Sequence, residues 1–169
     1  MEKNMSCIDR ILKRRTIRKY RKEPVPDDVL NKILEAGRQA PSASNRQPWH
    51  FIVVTDPSVK DKLATGRYNG FIKDSAFTIV GISLPYDQTS ESWGVVDTTI
   101  AMQNIVLAAE VQGVGSCWIG DFREQEVKQL LGIPEKGRIV ALLSMGIPDE
   151  QPRPKVKKDL VEIIHNNHW

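Results

Sequence analysis

One segment limits the fold more than any other. Between Trp93 and Gln112 the chain carries Ile100, Met102, Ile105, Val106, Leu107, Ala109 and Val111. At helical periodicity these side chains occupy more than one face, so the segment predicts a central, nearly surrounded helix. Gly113 and Gly115 end it. Asp97, near its expected start, reads as a partner for the positive end of the helix dipole. The rest of the chain must supply what surrounds it. Phe51 to Thr55, Ala76 to Leu84, Ser116 to Ile119 and Ile139 to Met145 are short apolar runs suited to buried strands. A first helix is expected from a Ser6/Asp9 capping box to about Arg14, with Ile8, Ile11 and Leu12 as its apolar face. A second begins at Asp27, repeats Val29, Ile33, Ala36 and Ala40, and is limited by Pro41. Asp56-Pro57 starts another helix and Glu124 to Leu131 forms a last one. Helices and strands are interspersed, which implies an α+β or α/β class with a central sheet covered by helices.

A length of 169 residues suits one domain spanning 1–169. No run approaches the roughly 20 apolar residues of a membrane span, and residues 1–15 lack the apolar core of a signal peptide. A cytoplasmic protein without a membrane partner is expected. Cys7 and Cys117 form no CxxC and read as reduced core residues, while His50 reads as structural and His165 and His168 show no ligand spacing. No metal is implied. A net charge of +3 is too small to argue for nucleic acid, but it is unevenly spread. Basic residues crowd Lys13 to Lys22 and Arg153 to Lys158, and a fold could close both clusters around one anion.

Two segments carry the chemistry. Arg14-Arg15-Thr16-Ile17-Arg18 follows a helix end with guanidinium groups and a hydroxyl, a set suited to phosphate. Pro41-Ser42-Ala43-Ser44-Asn45 adds small hydroxyl and amide groups, and Gln47-Pro48-Trp49 comes next, before a strand. That segment reads either as a helix-terminating turn with a core tryptophan or as a binding loop.

Taken together, Arg14 to Arg18, Pro24-Val25-Pro26 and Ala40 to Trp49 resemble the N-terminal signature of FMN-dependent nitroreductases. Asn104 to Ala109, Gly113 to Gly120, Leu143 to Pro148 and the basic tail resemble that family's later segments in order. The resemblance implies a three-layer α/β/α sandwich, a central mixed sheet and an intertwined homodimer. It implies that Arg14, Arg15 and Thr16 hold the FMN phosphate and ribityl end with Lys155 and Lys157 of the tail. Arg18 would lie at the flavin N1 and C2 carbonyl edge, Asn69 at the pyrimidine edge, and the Gly120 amide, after Trp118 and Ile119, near N5. Pro41, Ser42, Ala43, Ser44, Asn45 and Gln47 belong to the same set, with Ser42, Ser44 and Asn45 reaching in from the other subunit. The activity implied is ping-pong oxidation of NADH or NADPH with reduction of a nitroaromatic, quinone or similar electron-poor acceptor. The flavin carries the redox step, so no catalytic side chain is needed.

Three departures stand out. Ile119-Gly120-Asp121 replaces a common Glu-Gly pair, Lys158-Asp159 replaces a basic-proline pair, and only Pro85 to Ser92 fills a gap where longer relatives insert a helical lid. The short gap implies an open pocket with broad acceptor use. Alternatives are reductive dehalogenation, a flavin-storing or protein-fed electron-transfer protein that does not turn over NAD(P)H, and nucleic-acid binding through the basic segments.

Overall fold

The computed structural model describes residues 6–169. The Ser6 hydroxyl and Asp9 carboxylate close the expected capping box on α1 (Cys7–Lys13). Next along the chain are α2 (Asp27–Arg38), β1 (Trp49–Val54), α3 (Pro57–Leu63), β2 (Phe77–Ser83), α4 (Gln88–Val111), β3 (Gly115–Ile119), α5 (Glu124–Leu131) and β4 (Arg138–Gly146). Asp56 caps α3 by accepting from the Ser58 and Val59 amides, an arrangement worth about 1 kcal/mol. Gly132 ends α5 in the left-handed conformation that favours glycine.

The four strands lie in the order β1-β2-β4-β3 and every ladder is antiparallel. Mixed character is confined to one parallel bridge, Thr16 to Ser116, where the chain after α1 meets β3. Strand alternation sends two sets of side chains to opposite faces. Phe77, Ile79, Leu143 and Met145 pack with Ile33 of α2 and Met102, Ile105 and Val106 of α4. Val80, Ile82, Ile139 and Leu142 pack with Leu63 of α3 and Val127 of α5. These are the three layers.

Helix α4 is longer than its apolar run suggested. Asp87 and Ser90 form a capping box that starts it at Gln88, so the connection from β2 is only 84–87. At 1.5 Å per residue its 24 residues extend about 36 Å. Two expectations change in consequence. Asp97 lies nine residues beyond the first residue of the helix, buried, and does not serve the dipole there. Nor is α4 surrounded by its own chain: Trp93, Val96, Ile100 and Val111 line one exposed stripe at helical spacing. Ile8, Ile11 and Leu12 of α1 are exposed too, and α1 and α4 border an apolar groove of about 260 Å³. Cys7 sits on that groove and is exposed, contrary to its expected core position, whereas Cys117 is buried. Past Gly146 the chain runs beside 18–21, then leaves as an exposed tail in which Val156, Leu160, Val161, Ile163, Ile164 and Trp169 stand open. No helix among the described residues is long and apolar enough to cross a membrane.

Candidate functional site at the β3 edge

The segment after α1 is drawn along β3 by its backbone, with the Ile17 amide donating to the Ser116 carbonyl at 3.0 Å. A buried phenol anchors the turn beyond it. The Tyr20 hydroxyl lies 2.7 Å from the Ile17 carbonyl, 3.0 Å from the Ser144 carbonyl and 2.8 Å from the Ser144 hydroxyl. Burial pushes its pKa well above the usual phenol value. From the other side, the Glu150 carboxylate accepts from the Arg18 and Lys19 amides. Arg18 is thereby presented, exposed, beside β3, with the Cys117 thiol close enough to feel its charge. Burial raises that thiol's pKa and Arg18 opposes the rise.

Arg14 and Arg15 differ in what remains free. Arg15 turns its Nη1 back onto the Leu12 and Arg14 carbonyls, each at 2.9 Å, capping the end of α1. Arg14 makes no side-chain hydrogen bond or ion pair among the described residues. Both influence the half-buried Glu110 at the end of α4: burial raises its pKa, and Arg14, Arg10 and Arg15 pull it down.

Asn69 reaches the same edge from the other side. It is almost fully buried, and its Nδ2 donates to the Asp121 carbonyl at 2.8 Å and more weakly to Leu63 at 3.4 Å. The Asp121 carboxylate in turn accepts from the Tyr68 amide at 3.0 Å. This crossing requires Gly66, because a Cβ there would lie 2.1 Å from the Asp121 carbonyl oxygen. Asn69 Oδ1 is buried and has no hydrogen-bond partner among the described residues, a loss of about 1 to 3 kcal/mol for a polar group left unpaired. Beside it Gly120 is exposed, with nothing within 4 Å of where its Cβ would stand. Trp118 is half-buried against the α4 layer and Ile119 is buried against the other. The fold thus joins Thr16, Arg18, Trp118, Ile119, Gly120 and Asn69 at one sheet edge.

The second predicted loop lies elsewhere. It leads into β1, the opposite edge strand, three strand spacings or about 14 Å from β3. Pro41 is exposed, and Ser42 accepts from the Gln47 amide at 2.9 Å while Gln47 Nε2 donates to the Asn45 carbonyl at 3.1 Å. Ser44, Asn45 and Gln47 have φ of 49°, 55° and 48°, left-handed conformations that cost about 1 to 3 kcal/mol each without glycine. Trp49 is buried against Ala40 and Ala101, so the core-tryptophan reading holds for that residue. Lys155 and Lys157 are exposed in the tail, with no ion pair among the described residues. Sequence patterns pointed to Asp121 only as part of the Ile119-Gly120-Asp121 departure and not to Tyr20, Gly66 or Glu150, whose parts depend on long-range contacts that no local pattern encodes.

Comparison with known proteins agrees with this architecture. The profile of the Nitroreductase family matches residues 11–66 and 64–147. An Archaeoglobus fulgidus protein, whose name offers NADH dehydrogenase and NAD(P)H nitroreductase as alternatives, is 36% identical over 96% of this chain and 98% of its own. An FMN-dependent nitroreductase structure from Clostridium difficile superposes with a TM-score of 0.83 at 31% identity, covering 96% of this chain and 99% of that one. The NADPH:FMN oxidoreductase of Vibrio harveyi, solved with NAD+, gives a TM-score of 0.90 at 28% identity over 96% of this chain and 77% of that one. By fold, by the order of its motifs and by sequence along most of its length, the chain belongs to the nitroreductase family.

Proposed function

We propose that this chain is a cytoplasmic FMN-dependent oxidoreductase that oxidises NADH or NADPH and reduces nitroaromatic, quinone or similar electron-poor acceptors. The observation that carries the reading is Asn69 Oδ1, an unpaired buried acceptor set at the edge where Gly120 leaves open space and Arg18 supplies a cation. That donor and acceptor set fits the polar edge of a flavin. FMN, when bound, supplies hydride acceptance and release, linking the two half-reactions in a ping-pong cycle.

The residues of the chain bind and orient. Asn69 Oδ1 accepts from the pyrimidine edge, the Gly120 amide donates near N5, and Arg18 offsets negative charge at N1 and the C2 carbonyl. Arg14, Arg15 and Thr16 hold the phosphate and ribityl end, Arg15 with the donors its capping bonds leave free, and Lys155 and Lys157 complete that grip. Pro41, Ser42, Ala43, Ser44, Asn45 and Gln47 form the half contributed by a second copy. The opposite-edge placement of that loop supports a site built across a homodimer, and the open stripe of α4 supplies an apolar surface for the second copy. The short 84–87 connection supports an open pocket with broad acceptor use.

An absorption spectrum of the purified protein, combined with NAD(P)H oxidation measured with and without a nitroaromatic, tests the proposal. Flavin bands and acceptor-dependent turnover are expected. Colourless protein that gains no flavin spectrum from added FMN rejects it. Bound flavin without NAD(P)H oxidation returns the storage or protein-fed alternative.

A further inference from the structure

Asp97 has no place in the redox scheme, and core packing does not call for it. Its side chain is almost wholly buried on α4, at the seam between the face against the sheet and the open stripe. One carboxylate oxygen accepts from the Ala43 amide at 3.1 Å, and the other is buried with no partner among the described residues. A half-paired buried carboxylate costs free energy that an apolar side chain would avoid. What it holds is the first amide of the turn in which Ser44, Asn45 and Gln47 adopt left-handed backbone.

The rest of the loop is tied to the same helix and to the connection that leads into it. The Arg46 guanidinium meets the Asp87 carboxylate at 2.5 Å, and the Tyr86 hydroxyl donates to the Arg46 carbonyl at 2.9 Å. Pro48 packs at Gly94, where an added Cβ would lie 3.6 Å from the proline ring and 2.4 Å from the Ser83 hydroxyl. Strained backbone persists where its surroundings over-determine it, and here they do so at several points along one helix. Among these ties Asp97 alone acts from a nearly fully buried position on the loop's leading amide.

We propose that Asp97 is a positioning residue: it pins the loop so that Ser42, Ser44 and Asn45 are presented to the neighbouring subunit's flavin in one preset conformation. This rests on the reading of that loop as the second half of the cofactor site. Because α4 also carries the open apolar stripe, one helix then sets both the meeting of the subunits and the aim of the loop that crosses between them.

The test compares wild type with Asp97→Asn and Asp97→Ala through amide hydrogen exchange of residues 43–47 without flavin, and through FMN affinity. Asp97→Ala should lose Ala43 protection and bind FMN about tenfold more weakly, the value of one hydrogen bond. Asp97→Asn keeps an acceptor and should restore most of both. A contribution to stability alone would lower the melting temperature and leave FMN affinity unchanged well below it. Unchanged Ala43 exchange, or affinity within about twofold of wild type, overturns the proposal. Should Asp97→Ala not fold, Ala43→Pro removes the same hydrogen bond from the loop side, and unchanged FMN affinity there overturns it equally. Wild-type protein that binds no FMN defeats the cofactor reading instead, and the exchange measurement still decides whether Asp97 holds the loop.

Discussion

Replacing Asn69 by Ala separates the two jobs of one side chain. Nδ2 holds the Asp121 carbonyl, so its removal leaves a carbonyl to find water and costs the free protein on the order of 1 kcal/mol. Oδ1 makes no stabilising bond in the free protein and carries its desolvation penalty there, since it is buried and unpaired among the described residues. A ligand donor that satisfies it relieves a penalty of about 1 to 3 kcal/mol. At 1.4 kcal/mol per decade, losing that relief weakens flavin binding by about 5- to 150-fold. The proposed contact is to the ring, so FMN and riboflavin should lose affinity equally. Fluorescence titration of both flavins against wild type and Asn69→Ala, well below the melting temperature, measures the ratio. Two results refute the reasoning: affinity that does not change, or a loss confined to FMN, which would place Asn69 at the phosphate.

Arg14→Ala should show the reverse selectivity, weakening FMN by roughly tenfold or more through one charge-assisted contact and sparing riboflavin; equal losses reject the phosphate assignment. Ile100→Glu puts a charge on the open stripe of α4 and should shift sedimentation toward monomer and lower FMN affinity together. Wild type that sediments as a monomer with tightly held FMN removes the second copy from the site. Glu110→Gln tests a pH effect: burial raises the folded-state pKa above the ordinary 4.5, so the folded protein holds the proton more tightly than the unfolded chain. The contribution to stability is therefore complete below pH 4.5 and lost as pH rises through the folded value. The variant lacks that loss, so its stability relative to wild type should increase between pH 4 and neutrality in denaturant titrations; a constant difference rejects it.

Local rules carried much of the fold. The Ser6 and Asp56 caps and the β-branched runs act over a few residues, and the elements they specify lie within a few residues of expectation. The start of α4 escaped because its signal, Asp87 with Ser90, lies ahead of the Trp93 to Gln112 segment in which the apolar run stands. The expectation that α4 is surrounded followed from its several apolar faces, yet the chain leaves the Trp93 to Val111 stripe exposed. Sequence periodicity records which side chains are apolar and does not record which of them the chain's own fold covers. At the candidate site, the family resemblance named Arg14 to Arg18, Asn69 and Gly120 as candidates. The contacts that set them, Tyr20 on Ser144 and Asn69 on Asp121, span 124 and 52 residues. Such pairings arise from topology, which composition and spacing do not contain.

In the proposed site, where the 42–47 loop of one copy completes the Asn69 edge of another, the placement of these two elements at opposite edges of the sheet has a genetic consequence. Two defective versions of this gene should complement each other when their lesions fall in different halves, one in Asn69 and the other in the 42–47 loop. When such subunits mix at random, half of the dimers pair unlike chains. In each of these one site inherits both lesions and the other inherits neither. Roughly a quarter of all sites would then be intact, so a cell carrying both alleles would regain activity that neither supports alone.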